Sequence, residues 1–160
     1  MTNEQLQQII YSIEAGQKYF DATEIISSVF TDTKKLYCSP ETREKELKFI
    51  EKVGEFLTLS RQQGLLALTA RLNELDSSEY GIVFPHLLQL VIDGCDFAII
   101  GAAARAHLLA IDAGTVENAV DTPLHASLAL IGVTCIGKGD PLIIMKHLLA
   151  PLIGAVERDF

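Results

Sequence analysis

The chain has few basic residues, few cysteines and no long apolar run. Lysine and arginine number 13 against 21 aspartates and glutamates, which gives a net charge of −8 over 160 residues. Nucleic-acid binding depends on basic side chains that neutralise phosphates, so this charge argues against a nucleic-acid partner. It also argues against electrostatic attachment to anionic lipid.

Cysteine is scarce and scattered. Cys38, Cys95 and Cys135 are odd in number, far apart and without a CxxC pair. A disulfide framework or a zinc site needs paired or clustered ligands, so we predict small buried side chains in a reducing compartment and no metal site. Residues 1–5 are polar and acidic where a secretory signal would be basic and then apolar, which predicts a cytoplasmic protein.

The two most apolar runs are shorter than the ~20 residues of a membrane-spanning helix. Residues 122–137 contain no Asp, Glu, Lys or Arg, and residues 141–156 contain only Lys146 and His147 as basic or histidine side chains. We predict that both runs are buried core helices. Peripheral contact of residues 122–156 with a membrane, without spanning it, remains the alternative.

Helical periodicity and repeated capping signals predict an all-α fold, built as one compact multi-helix domain over residues 1–160. The predicted helices cover about 4–20, 22–30, 40–75, 78–93 and 96–113, with further starts at Asp121-Thr122-Pro123 and Asp140-Pro141. The 40–75 helix is the longest. We interpret it as a core-facing helix rather than a coiled-coil strand, because its heptads break at Arg61 and Gly64.

The helix at 96–113 is almost entirely apolar or small. Small side chains let backbones approach closely, so this helix is predicted to be central in the fold or to form an oligomer contact. A structural homodimer is therefore one alternative for the function of the chain.

One segment has the GxxxxGK spacing of a phosphate-binding loop. It runs from Gly132 to Gly139, but Gly139 stands where such a loop needs Ser or Thr, and no strand is predicted before it. We predict a Gly-rich turn between two helices, and keep a small cytoplasmic enzyme or nucleotide binder as an alternative. The four histidines lack ligand or catalytic spacing, so we predict no catalytic, cofactor or metal site.

Two segments carry a family resemblance. The first is Ser60-Arg61-Gln62-Gln63-Gly64-Leu65-Leu66-Ala67-Leu68-Thr69, and the second is Leu90-Val91-Ile92-Asp93-Gly94. They resemble the cytoplasmic domain of the MotA-type flagellar stator family (MotA/TolQ/ExbB-like), whose motif is S-R-Q/R-x-G-h-h-x-L-E with h apolar. The resemblance is strongest over residues 30–112, and residues 1–30 are not predicted to form the N-terminal membrane helices of the family. Thr69 replaces the acidic residue that ends the motif.

The resemblance implies a non-catalytic protein-interaction module that modulates motility through a rotor-ring or other motor protein. Arg61 matches the basic motif residue that faces the rotor in the family. We predict a contact surface on the polar side of the 40–75 helix that includes Arg61, Glu55, Arg71 and Gly64. A glycine inside a helix costs roughly 1 kcal/mol, so Gly64 is expected to mark close packing or a bend.

Overall fold

The computed structural model describes residues 2–7 and 21–155. All regular structure in these ranges is helical and none is strand, which confirms the all-α prediction. Residues 3–7 are helical, and the rest of the predicted helix at 4–20 lies outside the described residues.

The described helices follow one another with short connections. They are α1 (Ala22–Val29), α2 (Pro40–Gln63), α3 (Ser77–Tyr80), α4 (Val83–Ile92), α5 (Phe97–Asp112), α6 (Pro123–Lys138) and α7 (Leu142–Leu149). More tightly wound 3₁₀ segments cover Thr33–Leu36, Leu65–Glu74 and Ala150–Ile153. Side chains accept hydrogen bonds from the first backbone N–H groups of α1, α2, α5 and α6, at Asp21, Ser39, Asp96 and Thr122.

The prediction of one helix over 40–75 is wrong. The α-helix ends at Gln63, because Gly64 takes a backbone φ of 88° that side-chain-bearing residues rarely adopt. The following 3₁₀ segment, Leu65–Glu74, runs back along α2 and buries Leu68 completely. Gly64 therefore marks the end of a helix, not a bend within one.

Two further boundaries differ from the prediction. The expected helix at 78–93 is divided into α3 and α4 at Gly81, which has a φ of 79°. The expected Gly-rich turn over 132–139 is helix α6 as far as Lys138, and only Gly139 adopts the left-handed conformation. Gly132 lies inside this helix, at the place where α2 packs directly against it.

Helix α6 is the centre of the fold. Every residue from Leu124 to Val133 is buried, and α6 contacts α1, α2, α4, α5 and α7. The predicted burial of 122–137 is thus confirmed. Helix α5 was predicted to be central or to form an oligomer contact. Ile99 and Leu109 on α5 are 56% and 52% exposed, so the central position is wrong and the oligomer contact stays a prediction.

Helix α7 and the 3₁₀ turn after it are only half-buried. Met145, Leu149 and Ile153 pack into the core, whereas Ile143, Ile144 and Leu148 are exposed to solvent. The prediction that 141–156 is a buried core helix is therefore confirmed for only one face of its described residues, 141–155. Within the described residues, none of the helices combines the length and apolar character that crossing a bilayer requires.

Close packing between α2 and α6 depends on Gly132. A Cβ added there would lie 2.7 Å from Cγ1 of Val53, which is completely buried. We expect Gly132→Ala to lower the free energy of unfolding by about 1–3 kcal/mol, because the two helices must move apart. Urea denaturation measures the loss.

Gly137→Ala on the same helix is the matched control. Its Cβ would meet Phe97 Cε1 at 3.4 Å, an ordinary contact, so higher helix propensity should leave stability equal or raise it by up to about 1 kcal/mol. Equal losses in the two variants would contradict this account of the α2–α6 contact.

Candidate functional site

A groove of about 580 Å³ lies between α2 and α7. Its apolar lining comes from both helices and its charged lining from α2, α7 and the 3₁₀ segment. The apolar residues are Ile50, Gly54, Leu59, Leu142 and Met145, and the charged ones are Glu51, Glu55, Arg71 and Lys146. An open groove with an apolar floor and charged edges is the surface that an amphipathic helix recognises.

The groove contains two of the predicted contact residues because the 3₁₀ segment reverses along α2. Arg71 Nη2 lies 3.4 Å from Glu55 Oε2 and 2.7 Å from Glu74 Oε2. Lys52 Nζ donates to Glu74 Oε2 at 3.1 Å. Hydrogen bonds from Arg71 and Lys52 lower the pKa of Glu74 to about 2. These four charges neutralise one another and hold the segment against α2.

The other two predicted contact residues lie elsewhere. The Arg61 guanidinium donates to the backbone carbonyl of Gly139 and so links the end of α2 to the turn between α6 and α7. Gly64 is exposed at the end of α2, with open space where a Cβ would point. The structure brings Glu55 and Arg71 together and places neither Arg61 nor Gly64 in the groove lining.

A buried charge pair lies on another face of α2. Glu46 and His125 are 6% and 2% exposed, and Glu46 Oε2 lies 2.9 Å from His125 Nδ1. His125 Nε2 lies 2.9 Å from the backbone carbonyl of Tyr80. The ring of Phe49 packs on the imidazole, with ring centres 4.1 Å apart. The pair therefore joins α2, α3 and α6 at one point.

The hydrogen-bond geometry favours a protonated His125. The Tyr80 carbonyl is an acceptor only, so Nε2 must donate, and an ionised Glu46 requires Nδ1 to donate as well. Burial lowers the pKa of His125, but the hydrogen bond and charge of Glu46, the Tyr80 carbonyl and the charge of Asp121 together raise it above its ordinary value. We infer an imidazolium paired with a carboxylate.

Asp121 lies at the same junction and is also buried. Its Oδ2 accepts a hydrogen bond from the Ile82 backbone N–H at 2.7 Å, while its Oδ1 has no hydrogen-bond partner in the described structure. A Cβ on Gly81 would lie 2.3 Å from Oδ1. The carboxylate thus occupies the space that any side chain at position 81 would need.

Sequence reasoning missed the Glu46–His125 pair, although two signals were present. Glu46 precedes Phe49 and Ile50 by three and four positions, which places it on the apolar face of α2. His125 is an ionisable side chain within the run at 122–137 that lacks Asp, Glu, Lys and Arg. A buried polar side chain needs a hydrogen-bond partner, and Glu46 and His125 provide that partner for each other.

Two of the remaining histidines lie in contact with each other. His86 Nδ1 and His107 Nε2 lie 2.6 Å apart, and burial together with the charge of His86 lowers the pKa of His107. Cys135 is buried as predicted, and burial raises the pKa of its thiol to about 12, while Cys38 and Cys95 are half-buried. In the described ranges, no three His, Cys, Asp or Glu side chains are grouped to hold a metal ion.

No protein-family model, curated protein or solved structure matches this chain significantly.

Proposed function

We propose that the chain is a protein-interaction module that binds an amphipathic helix of a partner protein in the groove between α2 and α7. The observation that carries the proposal is the open apolar floor of the groove, flanked by Glu55 and Arg71.

The net charge of the chain indicates which class of partner protein the groove binds. Arg71, Lys52, Glu55 and Glu74 neutralise one another, so the net charge of −8 comes from residues outside this cluster. A negative molecule attracts positively charged partners and raises their association rate. The proposed occupant is a helix with an apolar face and flanking Lys or Arg. The stator-family resemblance makes a rotor-ring protein the first candidate.

The nucleotide-binding alternative loses its structural basis. A phosphate-binding loop needs free backbone N–H groups that point at the ligand, whereas residues 132–138 belong to helix α6. The homodimer alternative retains one supporting feature, the exposed Ile99 and Leu109 on α5.

Titration of the full chain with the rotor-ring proteins of its source organism tests the proposal. We expect saturable binding that weakens at least about tenfold in Thr58→Arg, because a bulky charged side chain on the groove wall displaces the apolar face of the partner. Arg61→Glu tests the motif residue outside the groove. Lys48→Glu, an exposed change on α2 outside the groove lining, is the control that should bind as the original chain does.

Absence of saturable binding would overturn the rotor assignment. Equal affinity of Thr58→Arg and the original chain for the rotor-ring protein would overturn the assignment of the groove as the binding site. A dimeric mass of the free chain that is lost in Leu109→Glu would favour the homodimer instead.

A further inference from the structure

A second cavity, of about 380 Å³, lies near the start of α2. Thr42, Glu46 and Phe49 of α2 line it, whereas Glu51, Glu55 and Thr58 line the groove. At 3.6 residues per turn these two sets lie on opposite faces of the helix. The cavity is therefore separate from the proposed protein-docking surface.

The inner part of the cavity is buried and the outer part is exposed. Glu46, His125, Phe49 and Leu124 form the buried part. Lys35, Lys45 and Tyr37 are exposed at the mouth, together with Glu79. A small molecule would meet a carboxylate at the inner end, apolar walls, and a mouth that carries Lys35, Lys45 and Glu79.

Stability alone gives little reason for a charge pair at this place. Hydrophobic side chains of similar volume are often as stabilising as a buried ion pair, or more so. A concave site with apolar walls and a few fixed polar groups is typical of small-molecule binding. The Glu46–His125 pair supplies such groups, since Tyr80 and Glu46 fix the imidazole on both sides.

We propose that this cavity binds a small organic anion that carries a hydroxyl donor at the end opposite its charge. Both His125 nitrogens are already hydrogen-bonded, so the available inner group is the Glu46 carboxylate, which accepts from a donor. At the mouth, Lys35 is paired with Asp112 at 2.5 Å. Lys45 has no ion-pair partner among the described residues, and its ammonium group meets the anionic end of the ligand.

Three probes separate the two recognition elements. 4-Hydroxyphenylacetate carries both a hydroxyl and a carboxylate, phenylacetate lacks the hydroxyl, and 4-hydroxybenzyl alcohol lacks the carboxylate. Each is titrated into the ¹⁵N-labelled full chain, and the shifts of the backbone amide signals of Glu46, Leu124 and His125 are followed. We expect saturable shifts with 4-hydroxyphenylacetate, and affinities for the other two that are lower by about fivefold or more.

Substitutions at exposed lysines test the proposed binding site without disturbing the folded structure. Lys45→Glu should weaken 4-hydroxyphenylacetate binding by about five- to tenfold, because the charge at the mouth is reversed. Lys48→Glu, an equal change at an exposed position of the same helix that does not line the cavity, should leave the affinity unchanged. Absence of saturable shifts, equal affinity for phenylacetate, or an unchanged affinity in Lys45→Glu would each overturn the proposal.

Discussion

Replacing Glu46 with alanine is expected to lower the free energy of unfolding by about 3–5 kcal/mol. The change removes the anion that lies 2.9 Å from the His125 imidazole, while His125 itself stays buried. A buried imidazolium without its carboxylate must either keep an uncompensated charge or release its proton. Both outcomes cost stability, and urea denaturation near pH 6 measures the loss.

The pH dependence of this loss has a definite sign. Because the folded-state pKa of His125 is raised, the stabilisation from protonating it is fully present below the unfolded-state pKa of 6.5. It disappears as the pH rises through the folded-state pKa. The difference in stability between the original chain and Glu46→Ala should therefore be larger at pH 6 than at pH 9.

Glu44→Ala provides the comparison for Glu46→Ala. Glu44 is exposed on the same helix, so its loss should change stability by no more than about 0.5 kcal/mol. Similar losses for the two variants, or a Glu46→Ala loss that is independent of pH, would show that the buried charge pair does not hold α2 and α6 together.

The second large effect is expected at Gly81. Its φ of 79° and ψ of −169° lie in a region that is nearly exclusive to glycine and cost an alanine about 1–3 kcal/mol, and the new Cβ would lie 2.3 Å from Asp121 Oδ1. The Asp121 carboxylate would have to move and give up its 2.7 Å hydrogen bond from the Ile82 N–H. We expect Gly81→Ala to lower the free energy of unfolding by about 2–4 kcal/mol in urea denaturation.

Gly64→Ala isolates the contribution of Asp121. Gly64 has nearly the same backbone angles, a φ of 88° and a ψ of 167° against 79° and −169° at Gly81, but no atom lies within 4 Å of its added Cβ. Its substitution should cost only the backbone strain, about 1–3 kcal/mol. If both glycine variants lose the same stability, then the contact with Asp121 has no role in fixing the α3–α4 corner.

Helix starts were predictable from the sequence because the capping side chain is local. Ser39 before Pro40 and Thr122 before Pro123 each accept a hydrogen bond from a backbone N–H three positions later. The end of α2 was less predictable. Leu65, Leu68 and Leu72 continue the apolar spacing of the helix, and a 3₁₀ segment with three residues per turn fits that spacing as well.

The candidate sites depend on contacts between distant positions. Glu55 and Arg71 were expected on one helix, and they meet because the chain reverses at Gly64. Glu46 and His125 are 79 positions apart. Local periodicity therefore indicates that each side chain lies on a buried helix face, but it does not indicate that the two side chains pair. Burial of an ionisable group can be inferred from its neighbours in sequence, whereas the group that neutralises it depends on tertiary packing.

We propose that α2 carries two independent binding faces, one for a partner helix and one for a small anion. The affinities for the rotor-ring protein and for 4-hydroxyphenylacetate, measured in both Thr58→Arg and Lys45→Glu, test this directly. We expect Thr58→Arg to weaken only the protein interaction and Lys45→Glu to weaken only the binding of the small anion. Loss of both affinities in either variant, with the fold intact, would contradict it.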